Sequence, residues 1–117
     1  MIGIGGSYLG IEFIYEALRT HYNGKINSHG RKLRFLANVD PVDSARALED
    51  LDVEETLFVI NSKTFTTAET ILNAKLARKW ILDQYSLRNI NDEKVLLIII
   101  NQGSPVCSFN CGINQST

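Results

Sequence analysis

The sequence predicts an α/β fold: a three-layer α-β-α sandwich with a mainly parallel sheet, its elements in the order β-α-β-α-β-α-β and truncated. Three observations carry this reading. Short apolar runs recur at Ile2–Ile4, 33–39, 56–60 and 95–100, each but the last leading into a segment of helical period. The run Thr56-Leu57-Phe58-Val59-Ile60 is apolar on both faces, as a central parallel strand must be. The connections are long enough for crossover helices, and such crossovers place helices on both faces of a sheet.

The elements follow in order. Ile2-Gly3-Ile4 leads into Gly5-Gly6-Ser7, where two glycines permit a tight turn and Ser7 offers a hydroxyl to cap a helix. From Tyr8 to Thr20, Leu9, Phe13, Ile14, Ala17 and Leu18 recur at helical spacing and predict one buried face. Residues 21–32 are polar and punctuated by glycine, which predicts a loop. Residues 33–39 read as a strand. Asp40-Pro41 then predicts a helix start, with Asp as cap and Pro at the first helical position, and Val42, Ala45 and Leu48 form its apolar stripe.

The strand at 56–60 ends in Asn61-Ser62-Lys63-Thr64-Phe65-Thr66-Thr67. Thr66-x-x-Glu69 has the form of a capping box for a long helix to about Tyr85, with Ala68, Ile71, Leu72, Leu76 and Trp80 near helical spacing. Asn89–Glu93 reads as a polar loop, 95–100 as another buried strand, and Asn101–Thr117 as an irregular tail. The domain boundaries expected are therefore 1–100 for a partial domain and 101–117 for the tail.

Composition narrows the function classes. The 117 residues suit one modest domain, and 44% hydrophobic with 21% charged is an ordinary globular balance. Twelve basic against thirteen acidic residues, net −1, argue against nucleic acid or an anionic membrane bound through bulk charge. The longest apolar run is too short to span a bilayer, and Met1 opens without a signal-peptide pattern. The expected compartment is the cytoplasm. The abrupt first strand reads as the start of a piece of something larger.

Two polar segments fall at carboxyl ends of predicted strands, where ligands of parallel α/β sheets bind and helix N-termini point at them. Ser62, Lys63, Thr64, Thr66 and Thr67 put four hydroxyls and an ammonium within six residues. A phosphate monoester needs several donors around its oxygens, and here hydroxyls, backbone N–H groups and the helix dipole converge. The plainer alternative is that Thr66 and Glu69 cap the helix and Lys63 is solvated. Gly6 and Ser7 admit close approach to a ligand; a tight turn with an N-cap is the alternative. Two nucleotide motifs fail: Tyr8 stands where a dinucleotide fingerprint needs glycine, and the glycines of a Walker A loop are absent before Ser62-Lys63-Thr64.

The remaining candidates read as structural. Cys107 and Cys111 have no nearby base or ligand partner, His21 and His29 lie in the polar segment, and no metal site is expected. Asp40 and Asp43 read as a cap and a first-turn acid, and Trp80 as core.

Three blocks resemble the phosphoglucose isomerase family: Ile4-Gly5-Gly6-Ser7-Tyr8-Leu9-Gly10, Phe35-Leu36-Ala37-Asn38-Val39-Asp40-Pro41, and Ser62-Lys63-Thr64-Phe65-Thr66-Thr67-Ala68-Glu69-Thr70 with Asn73-Ala74. They resemble its first sugar-isomerase (SIS) domain, a Rossmann-like fold, in order and spacing over about residues 2–85. The resemblance implies interconversion of glucose 6-phosphate and fructose 6-phosphate in glycolysis and gluconeogenesis, with no cofactor or metal and a homodimer for the full-length enzyme. It implies that Ser62, Thr64 and Thr67 hold the substrate phosphate with the Lys63 backbone N–H and charge beside it, and that Gly6 and Ser7 touch the sugar.

The family's ring-opening histidine, proton-transferring glutamate and enediolate-steadying arginine match nothing here. None of Glu12, Glu16, Glu49, Glu54, Glu55, Glu69 and Glu93 lies in a matching motif, and the tail lacks the family's Trp-x-Gly-Gly-Arg. Pro105-Val106-Cys107-Ser108 faintly echoes the family's residues just downstream of that signature. The expectation is a phosphate-binding half-site without proton-transfer groups, inactive alone. A non-catalytic SIS module that binds a phosphosugar is the alternative.

Overall fold

The computed structural model describes residues 1–88 and the backbone of 97–101. The predicted loop at Asn89–Glu93, the tail after Asn101, and both cysteines lie outside the described residues.

The protein is an α/β assembly of helices α1 (Gly6–Arg19), α2 (Tyr22–Asn27), α3 (Pro41–Leu48) and α4 (Ala68–Arg88), with strands β1 (Phe58–Ser62) and β2 (Leu97–Asn101). A 3-10 turn, Val53–Glu55, precedes β1. The two strands pair in parallel, with Ile60 opposite Ile99. On the other side of β1, Ile2 makes parallel bridges to both Ile60 and Leu36. Its N–H donates to Val59 and its carbonyl accepts from Asn61, each at 2.8 Å. Leu36, Ile2, Ile60 and Ile99 thus lie in one hydrogen-bonded row.

The core is built around that row. Ile2 and Ile60 are fully buried, and Leu36, Val53, Phe58, Ala74, Ala77, Ile81 and Tyr85 complete the cluster. Apolar area removed from water stabilises by roughly 25 cal/mol per Å², so this cluster is where the described fold gains most. Phe58 meets Trp80 of α4 edge-on, ring centroids 5.9 Å apart.

Several elements differ from expectation. The first helix is capped by Gly5, at φ 54°, with no side-chain cap bond, so Ser7 lies inside the first turn and is not the cap. None of the α1 residues is buried, and Leu9, Phe13, Ile14 and Leu18 are each more than half exposed. The face turned inward is Tyr8-Glu12-Tyr15, whose tyrosines both pack edge-on against Phe35. Aromatic area at 5–6 Å, with polar tips left at the surface, decides the orientation of this helix over aliphatic spacing.

Residues 22–27 form α2 rather than a loop. Its tie is backbone proximity: a Cβ on Gly24 would run into the Leu18 carbonyl oxygen. No apolar period announces such contact. Residues 33–39 form no continuous strand; among them Leu36 alone bridges to Ile2. The strand expected at 56–60 is β1 at 58–62, with Leu57 exposed.

The Asp40-Pro41 helix start is as expected, the Asp40 carboxylate accepting the Val42 N–H at 2.8 Å. Its expected stripe is displaced: Val42 is exposed, Ser44 is buried, and Ala47 and Leu48 touch the core. The same happens in α4, which buries Thr70, Asn73, Ala74, Ala77, Ile81 and Tyr85 while Leu72 and Leu76 face solvent. Small residues let a helix lie close to a strand, so the buried stripe is set by Ala and Asn rather than by the largest side chains.

Candidate functional site

Two polar loops stand at the carboxyl end of the sheet: Gly5–Ser7 after the Ile2 bridge, and Ser62–Thr67 after β1. Each opens directly into a helix, α1 and α4 respectively. Ordered N–H groups and the positive end of the helix dipole therefore converge there.

The second loop has a defined interior and exterior. Ser62 is 5% exposed, and its Oγ accepts the Phe65 N–H at 3.0 Å. That bond closes a tight turn in which Phe65 takes φ 56°, the left-handed region that non-glycine residues rarely enter. Phe65 lies against the core. Lys63, Thr64 and Thr66 are exposed and Thr67 is half-buried. The Thr64 and Thr66 hydroxyls hydrogen-bond each other at 2.7 Å. Thr66 is thus not a helix cap. The first helical bond runs from the Ile71 N–H to the Thr67 carbonyl at 3.1 Å, which puts Thr67 in the cap position and leaves the expected Thr66–Glu69 box unformed.

The first loop exposes Gly5 and Gly6, with Ser7 half-buried. A Cβ on either Gly5 or Gly6 would meet nothing within 4 Å, so the space beside this backbone is open. Tyr8 follows at once. Glu12, hydrogen-bonded to its hydroxyl, holds the phenol's pKa up at about 12. Asn73 fastens α4 from beneath, donating from Nδ2 to the Asn38 carbonyl at 3.1 Å, ahead of the Asp40 cap.

The sequence-predicted residues therefore separate by environment. Gly6, Lys63 and Thr64 are open to solvent, Ser7 and Thr67 are partly covered, and Ser62 is enclosed with one lone pair engaged and its proton left to donate. Sequence reasoning missed Asn61, whose side-chain amide donates to the Ser7 carbonyl at 2.9 Å. Its place next to Ser62 was visible; its partner 54 residues upstream was not.

Other features lie elsewhere. A groove of about 510 Å³ opens at the amino ends of the strands, between Met1, Leu33, Arg34 and Phe58, and none of the six candidate residues lines it. His29 borders that groove, and Arg34 spans it, donating to carbonyls at the end of α3. No group of three or more His, Cys, Asp or Glu among the described residues could hold a metal ion. No described helix is long and apolar enough to cross a membrane.

A polar loop running into a helix N-terminus, found after the Ile2 bridge and again after β1, defines an α/β protein with both loops at the carboxyl end of its parallel sheet. Residues 1–109 match the family model described as phosphoglucose isomerase, and the chain belongs to that family. It is 58% identical over 81 residues to the cytosolic A glucose-6-phosphate isomerase of Oryza sativa subsp. japonica, covering 69% of this chain and 14% of that protein. The cytosolic enzymes of Oenothera sinuata var. hirsuta (59% over 80 residues) and Zea mays (58% over 81) are similar to it over 68% and 69% of this chain. The matched part spans 14% of the length of each of these relatives.

Proposed function

We propose that this chain carries the sugar-phosphate-binding loops of a glucose-6-phosphate isomerase, which interconverts glucose 6-phosphate and fructose 6-phosphate. The observation that carries the reading is the Ser62–Thr67 loop: the exposed Thr64 and Thr66 hydroxyls, the half-buried Thr67 and the exposed Lys63 gathered at the N-terminus of the 21-residue α4, beside the Gly6–Ser7 loop. In this reading Thr64, Thr67 and the Ser62 proton bind the phosphate oxygens, the Lys63 N–H and ammonium complete the charge balance, and Gly6 and Ser7 approach the sugar. No cofactor or metal takes part. The compartment is the cytosol, as in the relatives' names, and the full-length enzyme is a homodimer.

The whole domain in this reading is the three-layer SIS sandwich. Supporting it, successive side chains of a strand point to opposite faces: Phe58 meets Trp80 of α4, whereas Asn61, three residues on, meets Ser7 of α1.

Two experiments test the proposal. Titration of the chain with fructose 6-phosphate, followed by amide NMR, should shift the resonances of both loops. Thr64→Ala or Thr67→Ala should each weaken binding by about 1.5–3 kcal/mol, one charge-assisted hydrogen bond. Unchanged affinity in both variants would sink the assignment. The reading also puts no proton-transfer base in this chain. General acid–base groups contribute about 10²–10⁴-fold each, so a coupled assay on the purified chain should show at most a trace of isomerisation. Ordinary turnover would point to Glu69, in the first turn of α4, or to His29.

A further inference from the structure

We propose that Asn61 is a positioning residue that sets the distance between the two loops, so that one ligand can be held by both; this rests on the assignment of both loops to one sugar phosphate. Three backbones meet at this point. The Asn61 N–H donates to the Ile2 carbonyl at 2.8 Å, which registers β1 against the Ile2 bridge. Its side-chain amide then reaches the Ser7 carbonyl at 2.9 Å and fixes the first turn of α1 to the same residue. Gly3 fills the gap between them, where a Cβ would stand 3.1 Å from both the Asn61 and the Ser7 carbonyl oxygens. Asn61 is also covalently next to Ser62, the residue that shapes the other loop through Phe65. A displacement of the Asn61 side chain therefore moves one loop relative to the other without altering the hydroxyls of either.

Among the described residues, the position of α1 over β1 has few other ties. None of its side chains is buried, and apart from this bond its inward face rests on the Tyr8 and Tyr15 contacts with Phe35, on the far side of the Leu36 bridge. A donor at position 61 thus governs where Gly6 and Ser7 stand, and a short apolar residue there would leave the Ser7 carbonyl without it.

The test uses the whole chain and two probes. Inorganic phosphate requires the Ser62–Thr67 loop only, whereas fructose 6-phosphate spans both. Asn61→Leu keeps the branching and removes the donor. Its affinity for fructose 6-phosphate should fall about tenfold, the scale of one lost hydrogen bond, while its affinity for inorganic phosphate stays within about twofold. Equal losses for the two probes would mean that position 61 only supports the fold, and equal affinities for variant and wild type would mean that it positions nothing; either overturns the inference. A wild-type chain that binds neither probe overturns the loop assignment itself, and the inference with it. If circular dichroism shows Asn61→Leu unfolded, Asn61→Ser, with a donor too short to reach Ser7, takes the same two titrations, and the same outcomes support or overturn the inference.

Discussion

Helices α1 and α4 both follow a polar loop at the carboxyl end of a strand, yet they bury their residues in opposite ways. The 21 residues of α4 bury Thr70, Asn73, Ala74, Ala77, Ile81 and Tyr85 against the sheet, while α1 buries none of its 14 and presents Leu9, Phe13, Ile14 and Leu18 to solvent. The difference teaches that amphipathic spacing says a helix has an apolar face, not which neighbour that face meets. In α4 small side chains face the sheet and allow close approach. In α1 the contact is made by two tyrosines on Phe35, and the aliphatic stripe points elsewhere.

The contrast between the buried core and the exposed outer face of α1 is sharpest at two positions. Ile60→Ala, at a position with no exposure in the centre of the hydrogen-bonded row, should cost about 2–5 kcal/mol of unfolding free energy. Phe13→Ala, 75% exposed on α1, should stay within about 0.5 kcal/mol. Urea denaturation of the two variants decides it: comparable losses would mean that the outer face of α1 is packed in solution.

A smaller effect belongs to the α1–α2 junction. Gly24→Ala would drive a methyl into the Leu18 carbonyl oxygen, so α2 must move, at about 1–3 kcal/mol, the usual range for overpacking. Because α2 is short and exposed, the loss should show as altered amide shifts around Leu18 and Gly24 while those of α4 stay put. Asp40→Ala removes the carboxylate that accepts the Val42 N–H and should cost about 1 kcal/mol. A thermal melt indistinguishable from wild type would contradict the cap.

The smallest expected effect is a pH dependence centred on Tyr8. The Tyr8 pKa is raised from 10.0 to about 12, mainly by its hydrogen bond to the Glu12 carboxylate. The unfolded chain loses this proton near pH 10 and the folded chain keeps it, so between those values the unfolded state binds fewer protons and stability falls as pH rises. The contribution is complete below pH 10 and gone above about 12. Tyrosinate absorbance of Glu12→Gln should show a Tyr8 transition at lower pH than in wild type; no change would remove Glu12 as the cause.

What the sequence made legible was what is local. Asp40 followed by Pro41 carries its own capping chemistry, and the strand-loop-helix unit around Ser62 to Ala68 was visible from composition. Its details were not. Thr66 had the correct spacing for a capping box, but its hydroxyl turns to Thr64, because the helix begins one residue later than the pattern assumed. Helix α2 was invisible because what admits it beside Leu18 is a glycine's missing side chain. The buried stripe of α4 was misread because Leu72 and Leu76 outrank Ala74 and Ala77 in hydrophobicity, whereas close packing on a strand favours the smaller residue. The bridge from Asn61 to Ser7 joins residues 54 apart, and no local pattern encodes such a pair.

The left-handed turn at Phe65 has a consequence in the order of assembly. An isolated chain seldom visits that backbone region with a phenylalanine, and the Ser62 oxygen that rewards it is delivered by the end of β1. The turn therefore closes most readily once β1 is in place, which makes the geometry of the Ser62–Thr67 loop a late event in folding and an early casualty of any opening of the sheet. Hydrogen exchange at the Phe65 amide should accordingly be faster than at Asn61, whose N–H is held by the Ile2 carbonyl inside the row; protection equal at the two amides would show the turn to be as durable as the strand that carries it.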